Sequence, residues 1–201
     1  MRYVRLVEYS TIGYYEKNAE AYAAETLEST MKDAQTRFSS LLPKSARVLD
    51  WGCGSGRDAK VFGDMGYSVV ATDASAAMCN IAKTHTGAEV RCEGFLDLIE
   101  IDEYDGIWAC ASLLHLRKRQ LLEALARANR ALTTSGVIYA SFKNGDFEGY
   151  RDGRWYTDLR RDDLSWLLDD HWTLQDVWES ADVRVERSDE RWLNFLARKA
   201  C

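Results

Sequence analysis

Short apolar runs alternate along most of the chain with longer segments whose apolar residues recur every three or four positions. The runs are typical of buried strands, and the longer spacing is typical of helices that pack one face against a core. The pattern predicts five central strands: Arg47–Asp50, Ser68–Asp73, Glu89–Cys92, Tyr104–Cys110 and Val137–Phe142. Between them it predicts helices over Gly56–Met65, Ser75–Lys83 and Arg117–Leu132. This alternation predicts a parallel sheet with helices on both faces.

Two further helices are predicted ahead of this central part, over Tyr14–Glu25 and Met31–Leu42. Pro43, the only proline, separates them from the first strand. No linker, repeat or low-complexity tract interrupts the 201 residues, so a single domain is expected.

The C-terminal part follows a different pattern. Lys143–Asp163 is long, contains glycine and is rich in aromatic and charged residues, which predicts a mobile lid. After a helix over Arg161–Leu168 come strands over Leu174–Glu179 and Trp192–Ala197, with no convincing helix between them. Strands joined without a crossover helix pair antiparallel. The chain is therefore predicted to be an α/β protein, with a Rossmann-like seven-stranded mixed sheet whose last strand is antiparallel.

Composition and charge narrow the range of partners. The net charge of −6 disfavours nucleic acid, because a phosphate backbone requires clustered Lys and Arg. No apolar run approaches the roughly 20 residues that cross a bilayer. Glu8 stands where a signal peptide needs its apolar core, so a cytoplasmic protein without a membrane partner is expected. Five cysteines without a C-x-x-C pair, and only three histidines, indicate free thiols and no metal site.

A glycine-rich loop follows the first strand, in the stretch Val48 to Asp58. Gly52, Gly54 and Gly56 alternate with other residues, and Arg57 stands where a dinucleotide-binding loop has its third glycine. Asp73 follows by about the 20 residues that separate such a loop from the acid that binds a ribose. The spacing favours an adenosine-containing cofactor and counts against NAD.

These motifs resemble those of class I S-adenosylmethionine-dependent methyltransferases. The resemblance rests on four ordered segments: Val48–Arg57, Val70–Met78, Tyr104–His115 and the turn Leu132–Val137, which lacks the family's prolines. The loop and the chain length are also similar to those of small bacterial tellurite-resistance methyltransferases. The resemblance implies a helical lid over residues 1–42, a cofactor-binding core over 43–142, and a substrate-side insertion with the last strands over 143–201.

The resemblance also implies which residues hold the cofactor. Asp73 would hold the ribose, the segment Glu93 to Phe95 would meet the adenine, and the tyrosines would close over the cofactor. Arg37 and Arg57 are candidates for its carboxylate. The full set is Tyr15, Tyr22, Arg37, Asp50, Gly52, Cys53, Gly54, Arg57, Asp73, Ala74, Met78, Glu93, Gly94, Phe95, Ala109, Cys110 and Ala111. Plainer roles stay open for some of these residues: Met78 and Phe95 as core, and the tyrosines as packing for the helix.

Candidate chemistry beyond the cofactor centres on His115, which follows the fourth predicted strand at the edge where such folds bind ligands. A histidine there is a candidate general base if the acceptor must lose a proton; a structural or solvated role is the alternative. Four residues are candidates for an anionic substrate: Lys143, Arg154, Tyr156 and Arg191. Pairing of their charges with nearby acids is the alternative.

The leading hypothesis is transfer of a methyl group from S-adenosylmethionine to a small molecule by in-line displacement, with S-adenosylhomocysteine as product. A non-catalytic regulatory protein that binds the same cofactor is the second hypothesis, and an NAD-type oxidoreductase is the third. The pattern predicts neither the acceptor nor the oligomeric state.

Overall fold

The computed structural model describes residues 2–184 and 187–200, with side chains from residue 11 onward. Its main sheet has seven strands in the order β3-β2-β1-β4-β5-β9-β8. The strands, with the hairpin strands β6 and β7, are β1 (Arg47–Trp51), β2 (Ser68–Asp73), β3 (Glu89–Cys92), β4 (Tyr104–Ala109), β5 (Leu132–Lys143), β6 (Glu148–Arg151), β7 (Arg154–Thr157), β8 (Trp172–Ala181) and β9 (Arg191–Lys199). β1 to β5 run parallel, and β9 lies antiparallel between β5 and β8. The predicted mixed sheet is therefore confirmed.

Six α-helices surround the sheet in the described part of the chain: α1 (Arg2–Thr26), α2 (Lys32–Ser39), α3 (Arg57–Asp64), α4 (Ala76–His85), α5 (Lys118–Ala131) and α6 (Leu164–Leu167). The predicted helices are present, but their bounds differ at the ends of the chain. α1 begins well before Tyr14, and α6 is a single turn preceded by a 3₁₀ turn over Arg161–Asp163. No helix of the described residues is long and apolar enough to cross a membrane.

Alternate residues of the parallel strands supply two separate apolar cores, one on each face of the sheet. In β4, Trp108 packs on the face covered by α2 and α3, with Phe38 and Phe62 5.3 Å and 5.1 Å from its ring. Its neighbour Ile107 points the other way, into the core that includes Leu121 of α5. Burial on both faces explains why these strands are continuous apolar runs in the sequence.

The insertion after β5 contains a hairpin of β6 and β7, whereas the sequence pattern predicted a mobile lid. β6 and β7 pair antiparallel across a two-residue turn at Asp152 and Gly153, whose φ angles are +51° and +78°. Two positive φ values in a row define the turn type that matches the twist of paired strands, and Asp-Gly favours it. β7 is buried, and the Trp155 N–H donates to Thr11 Oγ1 of α1 at 3.0 Å. These contacts hold the segment against α1.

Candidate active site

A cavity of about 480 Å³ opens at the carboxyl ends of β1, β2 and β4, and α1 and β7 contribute to its wall. One end, here called the glycine-loop end, is formed by Gly52–Gly56 with Asp73. The other, here called the histidine end, contains Tyr15, His115 and Arg154. Ligands bind at this edge in open α/β sheets, because the helix N-termini and connecting loops meet there.

The glycine loop is held tightly against β2. The N–H groups of Gly52 and Cys53 both donate to the Thr72 carbonyl at 2.8 Å. Gly52 has a φ of +81°, and a Cβ placed on it would lie 2.5 Å from Ser112 Cβ. Gly54 has a φ of +54°, and a Cβ there would face the cavity with Tyr22 as its nearest neighbour at 3.9 Å. The loop therefore needs glycine at Gly52 for packing, and at Gly54 it presents bare backbone to a ligand.

Asp73 lies at the end of β2 with both oxygens oriented by backbone donors. Oδ2 accepts from the Gly54 N–H at 3.0 Å, and Oδ1 accepts from the Ser75 N–H at 2.8 Å. Burial raises the pKa of Asp73, although these hydrogen bonds oppose the shift. Each oxygen has a further lone pair, so the carboxylate can accept from two neighbouring hydroxyls.

Two further acids lie beneath the loop. Asp58 accepts from Arg57 Nε and from an Arg57 terminal nitrogen at 3.1 Å and 2.7 Å, and also from Trp108 Nε1 and Gln35 Nε2. Asp50 Oδ2 is buried without a hydrogen-bond partner among the described residues. Burial raises the pKa of Asp50 well above its usual range, and the nearby Asp58 adds to the shift. An unpartnered carboxylate oxygen beside a cavity suits an ammonium group.

The wall beyond β3 is formed by a 3₁₀ turn over Phe95–Asp97. Asp97 Oδ2 accepts from the Gly94 N–H at 2.9 Å, which fixes the turn. The Phe95 ring stands edge-on to Trp51, with the centroids 5.3 Å apart. Glu93 and Asp97 both line the cavity. This side therefore offers an aromatic edge and carboxylates, which suits an aminated aromatic ring.

His115 joins a hydrogen-bonded chain at the histidine end. Its Nδ1 lies 2.7 Å from the Trp155 carbonyl oxygen, and its Nε2 lies 2.9 Å from the Tyr15 hydroxyl. Because a carbonyl only accepts, Nδ1 carries the proton, and a neutral ring therefore accepts the Tyr15 O–H at Nε2. Burial lowers the pKa of His115 to about 4, so the ring is neutral near pH 7.

Arg154 and Tyr156 line the same end from β7. The Arg154 guanidinium lies 4.3 Å from the Tyr14 ring centroid and 5.4 Å from that of Tyr156. Burial raises the pKa of Tyr156 to about 12. Lys143 also lines the cavity, bonded to Glu190, with its ammonium 5.6 Å from the Tyr156 ring. The histidine end thus combines aromatic rings with cationic side chains.

The structure brings most of the predicted site residues to this cavity. Those that line it are Tyr15, Tyr22, Asp50, Gly52, Cys53, Gly54, Arg57, Asp73, Ala74, Glu93, Gly94, Phe95, Cys110, Ala111, His115, Lys143, Arg154 and Tyr156.

Four predicted residues lie elsewhere. Arg37 is exposed and pairs with Asp33 and Asp176, so its charge is already compensated on the surface. Met78 and Ala109 are fully buried in the core and do not line the cavity. Arg191 donates to the Ser188 carbonyl at 3.0 Å on the surface.

Several cavity residues were not predicted from the sequence: Asp58, Asp97, Ser112, Asp182, Arg184, Trp192 and Asn194. Asp58 follows Arg57 directly, and Asp97 follows the predicted adenine segment, so both acids could have been considered. The others come from β9, from the segment after β8 and from the 3₁₀ turn region after β4. Nothing local in the sequence indicates their place.

The comparisons agree with this geometry. Residues 48–136 match the family model of a methyltransferase domain. A Burkholderia thailandensis 1,6-didemethyltoxoflavin-N1-methyltransferase, solved with 1,6-didemethyltoxoflavin and S-adenosylhomocysteine, is similar with a TM-score of 0.76 and 24% identity, over 94% of this chain and 85% of that one. A TehB-like methyltransferase from Corynebacterium glutamicum is similar with a TM-score of 0.69 and 23% identity, over 94% of this chain and 98% of that one. No curated protein matches the chain.

The sheet order, the antiparallel β9 and the glycine loop define the class I methyltransferase fold, and the family match covers the segment that carries the loop. Residues 48–136 therefore match a methyltransferase domain, and the chain as a whole is similar in fold to S-adenosylmethionine-dependent methyltransferases.

Proposed function

We propose that this protein transfers the methyl group of S-adenosylmethionine to a small molecule bound at the histidine end of the cavity. The observation that carries the proposal is one continuous cavity that reaches from Asp73 to His115 beneath α1 and β7. Its volume of about 480 Å³ is in the range of small-molecule sites. The similar Burkholderia enzyme, solved with 1,6-didemethyltoxoflavin bound, supports the same class of acceptor.

At the glycine-loop end, we assign the cofactor contacts by chemistry. Asp73 would accept from the ribose hydroxyls, and the Glu93 to Asp97 wall would hold the adenine. The unpartnered Oδ2 of Asp50 would accept a hydrogen bond from the ammonium group of the cofactor's methionine part. Arg57, which pairs with Asp58 on one side, would face the carboxylate of that same part. The cofactor supplies an activated methyl group, so the protein contributes mainly positioning and electrostatics.

The role expected for His115 as a general base stays a prediction. Its Nε2 lone pair already accepts the Tyr15 O–H, and burial lowers its pKa to about 4, which makes it a weak base. These observations favour a positioning role, in which neutral His115 fixes the Tyr15 hydroxyl against the acceptor. In-line displacement needs only a lone pair aimed at the methyl carbon, so a strong base is not required.

The alternatives make different predictions. An oxidoreductase would need a loop that cradles a pyrophosphate, and Arg57 occupies the position of the third glycine that such a loop uses. A regulatory protein would need only the cofactor site, whereas methyl transfer also needs space for an acceptor beside it. The compartment at the histidine end therefore favours an enzyme.

The cofactor assignment is tested by calorimetric titration with S-adenosylhomocysteine and with NADH. We expect the first to bind and Asp73→Ala to weaken its binding by more than about tenfold, because two ribose hydroxyls lose their acceptor. Asp64→Ala is the matched control, since Asp64 is exposed and pairs with Lys60 outside the cavity. Binding of NADH alone would overturn the proposal.

Activity is tested separately by incubating the protein with methyl-labelled S-adenosylmethionine and a fractionated metabolite extract. We expect label in low-molecular-mass material. Label found only in protein or nucleic acid would contradict the small-molecule acceptor. Tight cofactor binding without any labelled product would favour the regulatory alternative.

A further inference from the structure

Arg154 is a buried cation without a counter-ion among the side chains that the structure describes. Its side chain lines the cavity, yet the residue is only 8% exposed. Its Nε is buried without a hydrogen-bond partner, and none of the described salt bridges includes it. The side chains that interact with it most strongly are Tyr15 and Tyr156, and neither is a carboxylate. A largely buried charge without an ion partner is costly. A ligand that supplies the missing negative charge would remove much of this cost.

The other cations of the cavity differ in this respect. Arg57 pairs with Asp58, Lys143 with Glu190, and Arg184 with Asp182. Arg187 is only half-buried, so water can solvate it. Arg154 is therefore the described cavity cation whose charge a bound molecule would have to balance.

Flat aromatic surfaces surround this cation. The rings of Tyr14 and Tyr15 from α1 and Tyr156 from β7 lie with their centroids 4.3 Å, 5.9 Å and 5.4 Å from the guanidinium carbon. The Trp192 ring lines the cavity as well. Aromatic faces stabilise a cation only partly, by about 0.5–2 kcal/mol each. They also favour a planar partner, which can stack in an offset or edge-on arrangement.

We infer that the methyl acceptor is bound as an anion: a flat aromatic molecule with an ionised oxygen or nitrogen, for which Arg154 is the counter-ion. The inference rests on the proposed function and adds the chemical class of its substrate. Arg154 is a specificity-determining residue in this view, because it selects the ionised form and rejects neutral isosteres.

An anionic acceptor changes what the site must do. The proton leaves the acceptor to solvent on binding, because a neighbouring cation lowers the pKa of an acidic group by about 1–3 units. The acceptor's lone pair then forms the new bond to the methyl carbon, while the methyl–sulfur bond breaks with its electrons on sulfur. Negative and positive charges cancel, and no proton remains for His115 to remove.

The test uses a probe whose charge state is visible. Para-nitrophenol turns yellow when ionised, and para-nitroanisole is a neutral molecule of nearly the same shape. Protein saturated with S-adenosylhomocysteine is titrated with each probe at several pH values, by absorbance and calorimetry. The ionisable side chains around Arg154 are Tyr14, Tyr15 and Tyr22 from α1, Tyr156 from β7, and His115. His115→Gln protein is therefore measured in parallel.

We expect para-nitrophenol to bind at least about tenfold more tightly than para-nitroanisole, and its apparent pKa to fall by about one unit or more on binding. Arg154→Met should abolish this preference and leave the affinity for S-adenosylhomocysteine within about twofold. Arg160→Met is the matched control, because Arg160 lies in the same insertion but is exposed and pairs with Asp146.

Equal affinity for both probes would overturn the inference, and so would tighter binding of the un-ionised form of para-nitrophenol than of its anion. The inference would also fail if neither probe bound the protein saturated with S-adenosylhomocysteine, or if Arg154→Met kept the wild-type preference. Loss of S-adenosylhomocysteine affinity in Arg154→Met would also overturn it, since Arg154 would then serve the cofactor. The wild-type measurements decide the question if that variant does not fold. Failure of S-adenosylhomocysteine to bind the wild type would instead refute the proposed function.

Discussion

At the glycine-loop end of the cavity, backbone N–H groups and strand-end carboxylates form the surface; at the histidine end, side chains from distant segments do so. Gly54 and Asp73, which share a hydrogen bond, are 19 positions apart. Tyr15 and His115 are 100 apart, and the bond between Trp155 and Thr11 spans 144 positions. A change in the β6–β7 hairpin can therefore reshape the histidine end and leave the glycine loop intact.

The largest effect on stability and cofactor binding is expected from adding a side chain at Gly52, where the glycine-loop end is most closely packed. Gly52→Ala places a Cβ 2.5 Å from Ser112 Cβ at a φ of +81°. We expect the free energy of unfolding to fall by about 2–4 kcal/mol, with loss of S-adenosylhomocysteine binding. Urea denaturation and calorimetry measure both.

Gly66→Ala is the control for that variant. Gly66 also has a positive φ, +89°, but a Cβ there meets nothing within 4 Å. Gly66→Ala should lower the free energy of unfolding by only about 1 kcal/mol, because of the positive φ, and should leave S-adenosylhomocysteine binding unchanged. Equal losses in the two variants would mean that backbone conformation, not packing against Ser112, makes Gly52 necessary.

A smaller effect, confined to the histidine end, is expected for Tyr15→Phe. The ring stays, but the buried Nε2 of His115 loses the donor that lies at 2.9 Å. An unpaired buried acceptor costs about 1–3 kcal/mol, so thermal stability should fall and S-adenosylhomocysteine affinity should not. Tyr14→Phe on the same helix is the control. A comparable fall in cofactor affinity for Tyr15→Phe would show that the two ends are coupled.

The pH dependence of stability tests the buried state of His115. Its pKa falls from 6.5 to about 4 in the folded protein, so between these values the unfolded chain binds a proton that the folded chain does not. Stability is therefore lost as the pH falls through this window. His115→Gln should show a smaller loss of melting temperature between pH 6.5 and 4 than the wild type.

The difference between the two curves is the relevant quantity, because the raised pKa values of Asp50 and Asp73 act in the opposite direction. His171→Gln, at an exposed position, should follow the wild-type curve. Superimposable curves for His115→Gln and the wild type would argue against a buried neutral ring.

The smallest effect is expected for Arg37→Ala, outside both ends. Arg37 is exposed, and its ion pairs with Asp33 and Asp176 are those of a surface residue. Such pairs contribute at most about 1 kcal/mol, so stability should change little and cofactor affinity not at all. A drop of about tenfold or more in S-adenosylhomocysteine affinity would return Arg37 to the cofactor site.

The fold could be predicted from the sequence where local chemistry decides the structure. Alternating strands and helices predicted the parallel sheet, and the missing helix before Trp192 predicted the antiparallel strand. The glycine loop and Asp73 could be predicted because a tight turn requires glycine and a strand-end acid follows it at a fixed spacing in the sequence. The Asp152-Gly153 pair is typical of a two-residue hairpin turn, but the prediction of a mobile lid did not use it.

The sequence did not predict features of the site that depend on tertiary contacts. Arg37 had the right charge for a carboxylate, but Asp176, 139 positions away, compensates it. Met78 follows Ser75 closely, yet the direction of α4 buries it in the core. The Tyr15–His115 bond and the isolation of Arg154 depend on where α1 and the hairpin meet, which no local pattern records.

The position of β9 also has a consequence for biosynthesis. Among the described residues, β8 pairs only with β9, and β5, which is twelve residues long, has β9 as its second neighbour. Residues 191–199 leave the ribosome after both of these strands. Until then, one edge of β5 is open and β8 has no partner, and unpaired strands of this kind are templates for pairing with other chains. A premature stop before Arg191 would therefore yield an aggregation-prone product in place of a slightly shortened enzyme.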